Sequence, residues 1–245
     1  MIKAFVFDLD GTLVQTEILK AHSYAKAVIK LKPGKIKEHD VIEAYKKLVG
    51  HSREEVAKSL MNKFDLESES KKIMNSNDSS EPWQAFVKVR LDFYYESLKI
   101  SRVLKRVECS YSKALLQKVN SQNFKTALAT TSHLDEAKTV LQTLGLYNLF
   151  DFIATEDLVK KSKPDPEIYK LVLSKLNILP SEAIVIEDSL TGIKSALTAK
   201  TNCIAATNDY TRDTVIESKL LDEKWIVNDL NKLDGVVEEM VKAKS

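Results

Sequence analysis

Hydrophobic and polar positions divide the chain into regions of two different periods. Ala4 to Phe7 is a short, wholly apolar run of aromatic and β-branched residues ahead of Gly11, the pattern of a strand buried on both faces. From Thr16 to about Ile100 the period turns helical. Ile18, Ala21, Ala25, Val28 and Ile29 share one helix face, which stops at Pro33-Gly34. Val41, Ile42, Tyr45, Leu48 and Val49 mark a second helix, ended by Gly50. Ser52-Arg53-Glu54-Glu55 has capping-box spacing ahead of Val56, Leu60 and Phe64. Glu67 to Glu81 is polar and predicts a mobile loop around Asn75, and Trp83 to Leu98 predicts a helix with its aromatic residues on one side.

Strand-like runs return only at Thr126 to Ala129, behind a helix predicted over Ser112–Asn123. From there the two periods alternate. A helix from Ser132 to Leu144 has capping-box spacing at Ser132-His133-Leu134-Asp135, and Gly145 closes it. Phe152-Ile153-Ala154 is a strand. Asp165 reads as an N-cap, with Pro166 opening a helix to Leu176. Ala183 to Ile186 is a buried strand, Thr191 to Ala199 a helix and Cys203 to Ala206 a strand, with two further helices behind. Such alternation means an α/β fold with a parallel sheet covered on both faces. A βαβ crossover takes about 30 residues, and the gap between the first two strands is far longer. The expected organisation is therefore a Rossmann-like core from residues 1–14 and 100–245, with an inserted all-helical cap over 15–99.

Composition narrows the class of protein. With 245 residues, 44% hydrophobic and 29% charged, the chain can bury a sizeable core. A net charge of +2 gives no electrostatic case for nucleic acid or a membrane surface, and no apolar run has the length of a membrane span. With a strand starting at Ala4, no leader peptide is expected. Cys109 and Cys203 have no metal or redox spacing and read as reduced core thiols of a cytoplasmic protein. His22, His39, His51 and His133 show no metal spacing either. Only five of the 37 basic residues are arginine, so a position that uses arginine points to a need for its planar fork.

The chemistry concentrates where strands end. Asp8-Leu9-Asp10-Gly11-Thr12 puts two carboxylates just past the first strand, at the end of an α/β sheet where ligands bind. This stretch resembles the first motif of the haloacid dehalogenase-like phosphotransferase superfamily, Asp-x-Asp-Gly-Thr/Val. The resemblance continues in order: a strand ending in Thr130, then Lys163-Pro164, then Ile186-Glu187-Asp188. Taken singly, these are an Asp-Gly turn, a helix-entry threonine, a surface lysine and an acidic strand end. Their coincidence at predicted strand ends favours the family, in its branch of β-phosphoglucomutases and sugar-phosphate phosphatases with a helical cap. The Pro-Gly common in the family ahead of the second motif's helix is absent, and Val107-Glu108-Cys109-Ser110 stands there.

The resemblance implies a Mg²⁺-dependent phosphatase of a small phosphorylated metabolite, a sugar phosphate, working as a monomer or weak dimer. Asp8, taken as an ordinary carboxylate ionised at pH 7, would attack phosphorus. Asp10 would be the general acid and base, and Lys163 and Thr130 would complete the catalytic set. Three carboxylates beside a phosphate cost about 4 kcal/mol per like-charge pair at about 4 Å, so a hard cation is required. Asp8 and Asp188 are its expected ligands, with the Asp10 carbonyl, and Glu187 ligates or sits one shell out. Thr130, Thr131, Ser132 and Lys163 would bind phosphate, helped by free N–H groups of the helix after Ser132. Thr16, Lys20, Arg53 after Gly50-His51-Ser52, and Arg90 would contact the rest of the substrate unless they are solvated helix faces. A phosphosugar mutase is the alternative, disfavoured by Lys20 near the place of a cap histidine and by Thr12. Dehalogenases lack the second carboxylate, a receiver domain would be shorter and capless, and a catalytically dead binding protein would have lost Asp8, Asp10 or Lys163.

Overall fold

The computed structural model describes residues 1–34, 36–49, 51–74 and 80–244. The chain forms two compact units, one of Met1–Gln15 with Ser101–Ser245 and one of Thr16–Ile100. The first unit contains β1 (Ala4–Phe7), α6 (Ser101–Arg106), α7 (Ser110–Ser121), β2 (Lys125–Ala129), α8 (Leu134–Thr143) and β3 (Phe152–Ala154). It continues with α9 (Glu167–Leu176), β4 (Ala183–Glu187), α10 (Leu190–Thr198), β5 (Asn202–Ala206), α11 (Arg212–Ser218), β6 (Ile226–Val227) and α12 (Leu233–Ala243). The second holds α1 (Thr16–Leu31), α2 (Glu38–Lys46), α3 (Arg53–Phe64), α4 (Glu67–Lys72) and α5 (Pro82–Leu98).

The six strands are parallel, in the order β3-β2-β1-β4-β5-β6. Chain order runs outward in both directions from β1, so the sheet has its switch point there, where ligands of such sheets bind beyond the strand ends. Strand alternation explains why β1 is apolar throughout. Ala4 and Val6 pack with Ile168, Tyr169 and Val172 of α9 and Ile193 of α10. Phe5, pointing the other way, lines a cavity with Leu115 and Val119 of α7 and Val237 and Val241 of α12. The two chain crossings at the edge of this unit are tied together without a Pro-Gly turn. Gln15 N–H donates to Val107 O (2.7 Å), Cys109 N–H to Leu13 O (2.9 Å), and Gln15 Nε2 to Gly11 O (3.0 Å) and Cys109 Sγ (3.2 Å).

In the helical unit, Tyr24 and Val28 of α1, Val41 and Tyr45 of α2, Leu60 of α3 and Phe86 of α5 form one core. The capping box of α3 is complete: Glu55 N–H donates to Ser52 Oγ (3.2 Å) and Ser52 N–H to Glu55 Oε2 (2.8 Å). Several expectations need correction. Residues 67–72 form α4 rather than loop, because Leu66 is buried and anchors the turn that follows. The expected loop around Asn75 and the stop at Gly50 lie outside the described residues. The aromatics of α5 do not share one side: Phe86 and Tyr94 are buried, whereas Tyr95 is exposed. Pro166, not Asp165, is the N-cap of α9, although Asp165 Oδ1 still accepts from Glu167 N–H (3.0 Å).

Candidate active site

Four neighbouring strands deliver the expected core residues to one end of the sheet. In β1, Phe7 is level with Leu128 of β2 and Ile186 of β4, and the ladder continues as Asp8 N–H donates to Ile186 O (3.0 Å). Asp8 therefore emerges between Thr130, just past β2, and Glu187-Asp188 at the end of β4. Gly11 turns the chain with φ +89°, its N–H donating to Val14 O (2.7 Å). A Cβ on Gly11 would lie 2.1 Å from Asp188 Oδ2, so only glycine leaves room for that carboxylate.

Lys163 arrives from the segment between β3 and α9, after which the Lys163-Pro164 peptide is cis. Its Nζ donates to Asp8 Oδ1 (2.7 Å), Glu187 Oε1 (2.6 Å) and Ala129 O (2.9 Å), and its side chain is only 3% exposed. All three ammonium protons thus have acceptors. The Tyr169 ring lies 5.1 Å from Nζ, and its hydroxyl donates to Glu187 Oε1 (3.1 Å). The other Glu187 oxygen accepts from Asp188 N–H, Ser189 N–H and Ser189 Oγ, each at 3.0 Å. A Cβ on Gly192 of α10 would come within 1.7 Å of Glu187 Oε1. Glutamate is thereby fixed from five donors while it anchors the lysine.

Asp10 occupies a second position. Its Oδ2 accepts from Ser132 Oγ (2.6 Å) and, more weakly, Thr130 Oγ1 (3.4 Å). This corrects the expected cap: α8 begins at Leu134 after His133, and the Ser132 hydroxyl serves Asp10 across the sheet end instead of the helix. The N–H groups here are also less free than expected. Ser132 N–H donates to Thr130 Oγ1 (3.0 Å) and Leu134 N–H to Asp157 Oδ2 (2.7 Å). Thr131 is exposed.

Burial changes the acid–base character of the cluster. Asp8 is not an ordinary carboxylate: burial pushes its pKa from 3.8 up to about 7, with Glu187 and Asp10 adding to the rise and Lys163 opposing it. Burial acts to lower Lys163, but Asp8 and Glu187 outweigh it and hold the ammonium well above its usual value. Both cysteines are free and buried, and burial pushes their thiols up, Cys109 to about 11, so neither is a thiolate near pH 7.

Asp8, Glu187 and Asp188 each offer an oxygen within 4.8 Å of the others, all buried. At that separation each like-charge pair costs about 3–4 kcal/mol at an effective dielectric near 20, and one lysine cannot balance three carboxylates. An all-oxygen, hard donor set of this kind fits Mg²⁺.

The expected substrate contacts of the helical unit are described within that unit. Thr16, the first residue of α1, is buried. Lys20 Nζ pairs with Glu17 Oε1 (2.7 Å), and Tyr45 OH donates to the other Glu17 oxygen. Arg53 is the exposed first residue of α3. Arg90 is no solvated residue: it is 4% exposed, its guanidinium 4.9 Å from the Tyr24 ring centre and 4.5 Å from that of Tyr94. Its Nε has no hydrogen-bond partner among the described residues. Burial raises the Tyr24 phenol while Arg90, Arg53 and Lys20 oppose it, so the three cations act on one ring.

Sequence reading assigned no role to four contributors. Tyr169 lies on a helix and looks like a core residue, whereas Ser189 and Gly192 stand in the stretch Ser189-Leu190-Thr191-Gly192 that continues the fourth motif. Ser189 looks like a simple N-cap, a role it also fills by accepting from Gly192 N–H (3.1 Å). Asn208, just past β5, donates from Nδ2 to Asp188 Oδ2 (2.8 Å). Its only sequence signal is its place: a polar residue two positions beyond the end of a strand next to β4.

Several known proteins resemble this chain over most of its length. The sequence profile of the haloacid dehalogenase-like hydrolases matches residues 5–206. A phosphorylated carbohydrates phosphatase of Thermotoga maritima is 31% identical over 198 residues, which cover 81% of this chain and 82% of that protein. The pyrophosphatase PpaX of Bacillus velezensis is 28% identical, covering 82% and 81%. Among solved structures, β-phosphoglucomutase of Clostridium difficile aligns with a TM-score of 0.69 at 25% identity, over 99% of both chains.

Proposed function

The chain belongs to the haloacid dehalogenase-like hydrolases, and from that footing we propose that it is a Mg²⁺-dependent phosphatase of a small phosphorylated carbohydrate, acting through a phosphoaspartate on Asp8. The observation that carries this reading is the buried Asp8–Lys163–Glu187 bridge beside Asp188, with Asp10 held apart on the Ser132 and Thr130 hydroxyls. The cluster supplies a nucleophile and a fixed positive charge. The second carboxylate, on the Ser132 and Thr130 hydroxyls, is placed to handle a proton.

Asp8 attacks phosphorus with a carboxylate oxygen, and the bond from phosphorus to the sugar oxygen breaks. Asp10, in its acid form, gives a proton to that leaving oxygen. Water then attacks phosphorus, gives a proton back to Asp10 and releases inorganic phosphate from Asp8. Lys163 stays charged throughout and, with Thr130, Thr131 and Ser132, holds the phosphate oxygens. Asp8, Asp188 and the backbone carbonyl of Asp10 would hold Mg²⁺, with Glu187, whose oxygens take five donors, one shell out; the ion would supply positive charge to the phosphoryl group and keep Asp8 ionised despite its burial. Thr16, Lys20, Arg53 and Arg90 are assigned to the rest of the substrate, where the buried guanidinium of Arg90 and the exposed one of Arg53 suit an anionic or hydroxyl-rich group. Two buried thiols and the absence of a helix long and apolar enough to cross a membrane among the described residues support a cytoplasmic setting.

The test is phosphate release from a panel of phosphorylated carbohydrates, with Mg²⁺ and with chelator. Chelator-sensitive release from one or a few sugar phosphates is expected. Conversion of β-glucose 1-phosphate to glucose 6-phosphate with a bisphosphate primer, and no release, would make the chain a mutase instead.

A further inference from the structure

Asn208 meets the acidic cluster through a contact that is oriented on both sides. Its Oδ1 accepts the N–H of Tyr210 (2.9 Å), and its own N–H donates to Thr211 Oγ1 (3.2 Å), closing a tight turn directly after β5. An atom that accepts from a backbone N–H must be the amide oxygen, so the other arm is the nitrogen. That nitrogen donates to Asp188 Oδ2 at 2.8 Å. The same oxygen is bounded on its other side by the bare backbone of Gly11, where a Cβ would stand 2.1 Å away. One oxygen held at two sides fixes the plane of the carboxylate, and with it the direction of the other oxygen.

We infer that Asn208 is a positioning residue for Asp188: it sets the rotation of that carboxylate for binding a divalent cation and carries no proton or bond of the reaction itself. The inference rests on the metal reading given above. It follows from what the amide can and cannot do. An asparagine nitrogen is a neutral donor, so it orients a carboxylate without neutralising it, whereas a lysine here would compete with the cation for the same charge. The turn that aims it is built from backbone and Thr211 and needs no ligand to form.

The test compares the wild type with Asn208→Ala and Thr211→Val. The first removes the donor to Asp188. The second removes a hydrogen bond of the turn and leaves the donor in place. Mn²⁺, a hard cation of the same ligand preference as Mg²⁺, is titrated alone into each protein and the free ion followed by electron paramagnetic resonance, with Mg²⁺ as competitor. Loss of an outer partner of a ligand weakens metal binding by about 10–100-fold, and that is expected for Asn208→Ala, with Thr211→Val within about twofold of wild type. At saturating Mg²⁺ the KM for substrate should be the same in all three. Equal affinity in Asn208→Ala and wild type would overturn the inference, as would an equal loss in Thr211→Val, which would assign the effect to the turn. A wild type that binds neither ion would overturn the metal reading and this inference with it.

Discussion

Removal of Lys163 tests the electrostatic core of the site. In Lys163→Met the stem is replaced by a side chain of similar length, while Asp8, Glu187 and Asp188 stay buried around the lost charge. Each of the two ion contacts, at 2.7 and 2.6 Å, has a Coulomb energy of about 6 kcal/mol at an effective dielectric near 20. Most of that offsets the cost of burying the charges, and breaking such a pair from one side has a net cost of about 3–5 kcal/mol. The pH dependence has a definite sign. Asp8 already has its pKa raised from 3.8 to about 7 by burial, and loss of the opposing lysine raises it further. Between those values the folded protein holds a proton that the unfolded chain has released, so stability falls as pH rises through this window. Wild type and variant both carry this proton at pH 5, whereas above about pH 7 only the variant retains it, so the loss in Lys163→Met should be larger at pH 8 than at pH 5. Urea unfolding of both proteins at the two pH values, in chelator, measures it. A loss below about 1 kcal/mol at pH 8, or an equal loss at pH 5, would refute the argument that the lysine balances this cluster.

Three further outcomes follow from the geometry. Asp8→Asn should lower kcat by about 10⁴-fold or more while leaving the circular dichroism spectrum unchanged; measurable residual turnover near wild type would reassign the nucleophile. Gly192→Ala, whose new Cβ would stand 1.7 Å from Glu187 Oε1, should cost about 1–3 kcal/mol in thermal unfolding and reduce kcat together; a silent substitution would mean that Glu187 is not held against α10. Arg53→Ala should raise KM for sugar phosphates more than for a small aryl phosphate, and equal effects on both would confine Arg53 to a role in the helical unit.

Much of the fold was legible because parallel strands buried on both faces leave an unmistakable apolar run, as in Ala4–Phe7 and Ala183–Ile186. What escaped were elements without such a signal. Strand β6 has only two residues, and α4 has the sequence ESESKK, which carries no apolar period. At the site, motif spacing pointed to the residues that come together through strand ends: Asp8, Asp10, Thr130, Lys163, Glu187 and Asp188. Ser132 was misread because its spacing to Asp135 suggested a local cap, while a carboxylate 122 positions away competes for the same hydroxyl. Arg90 reads in the sequence as a substrate contact or a solvated helix face, and its burial against two tyrosine faces removes only the second reading. Asp8 looked unperturbed because burial, the largest cause of its rise, is a property of the folded surroundings and not of its neighbours in sequence. Asn208 acts through a contact across strands β4 and β5, which no local pattern encodes.

The central claim is that phosphate passes through Asp8. The most direct measurement is to mix the protein with Mg²⁺ and a sugar phosphate that it hydrolyses, quench within milliseconds, reduce with borohydride and map the peptides. An acyl phosphate is reduced to the alcohol, so homoserine is expected at position 8 and absent in chelator. An unmodified Asp8 under conditions of full turnover, or reduction at Asp10 or Asp188 instead, would contradict the account.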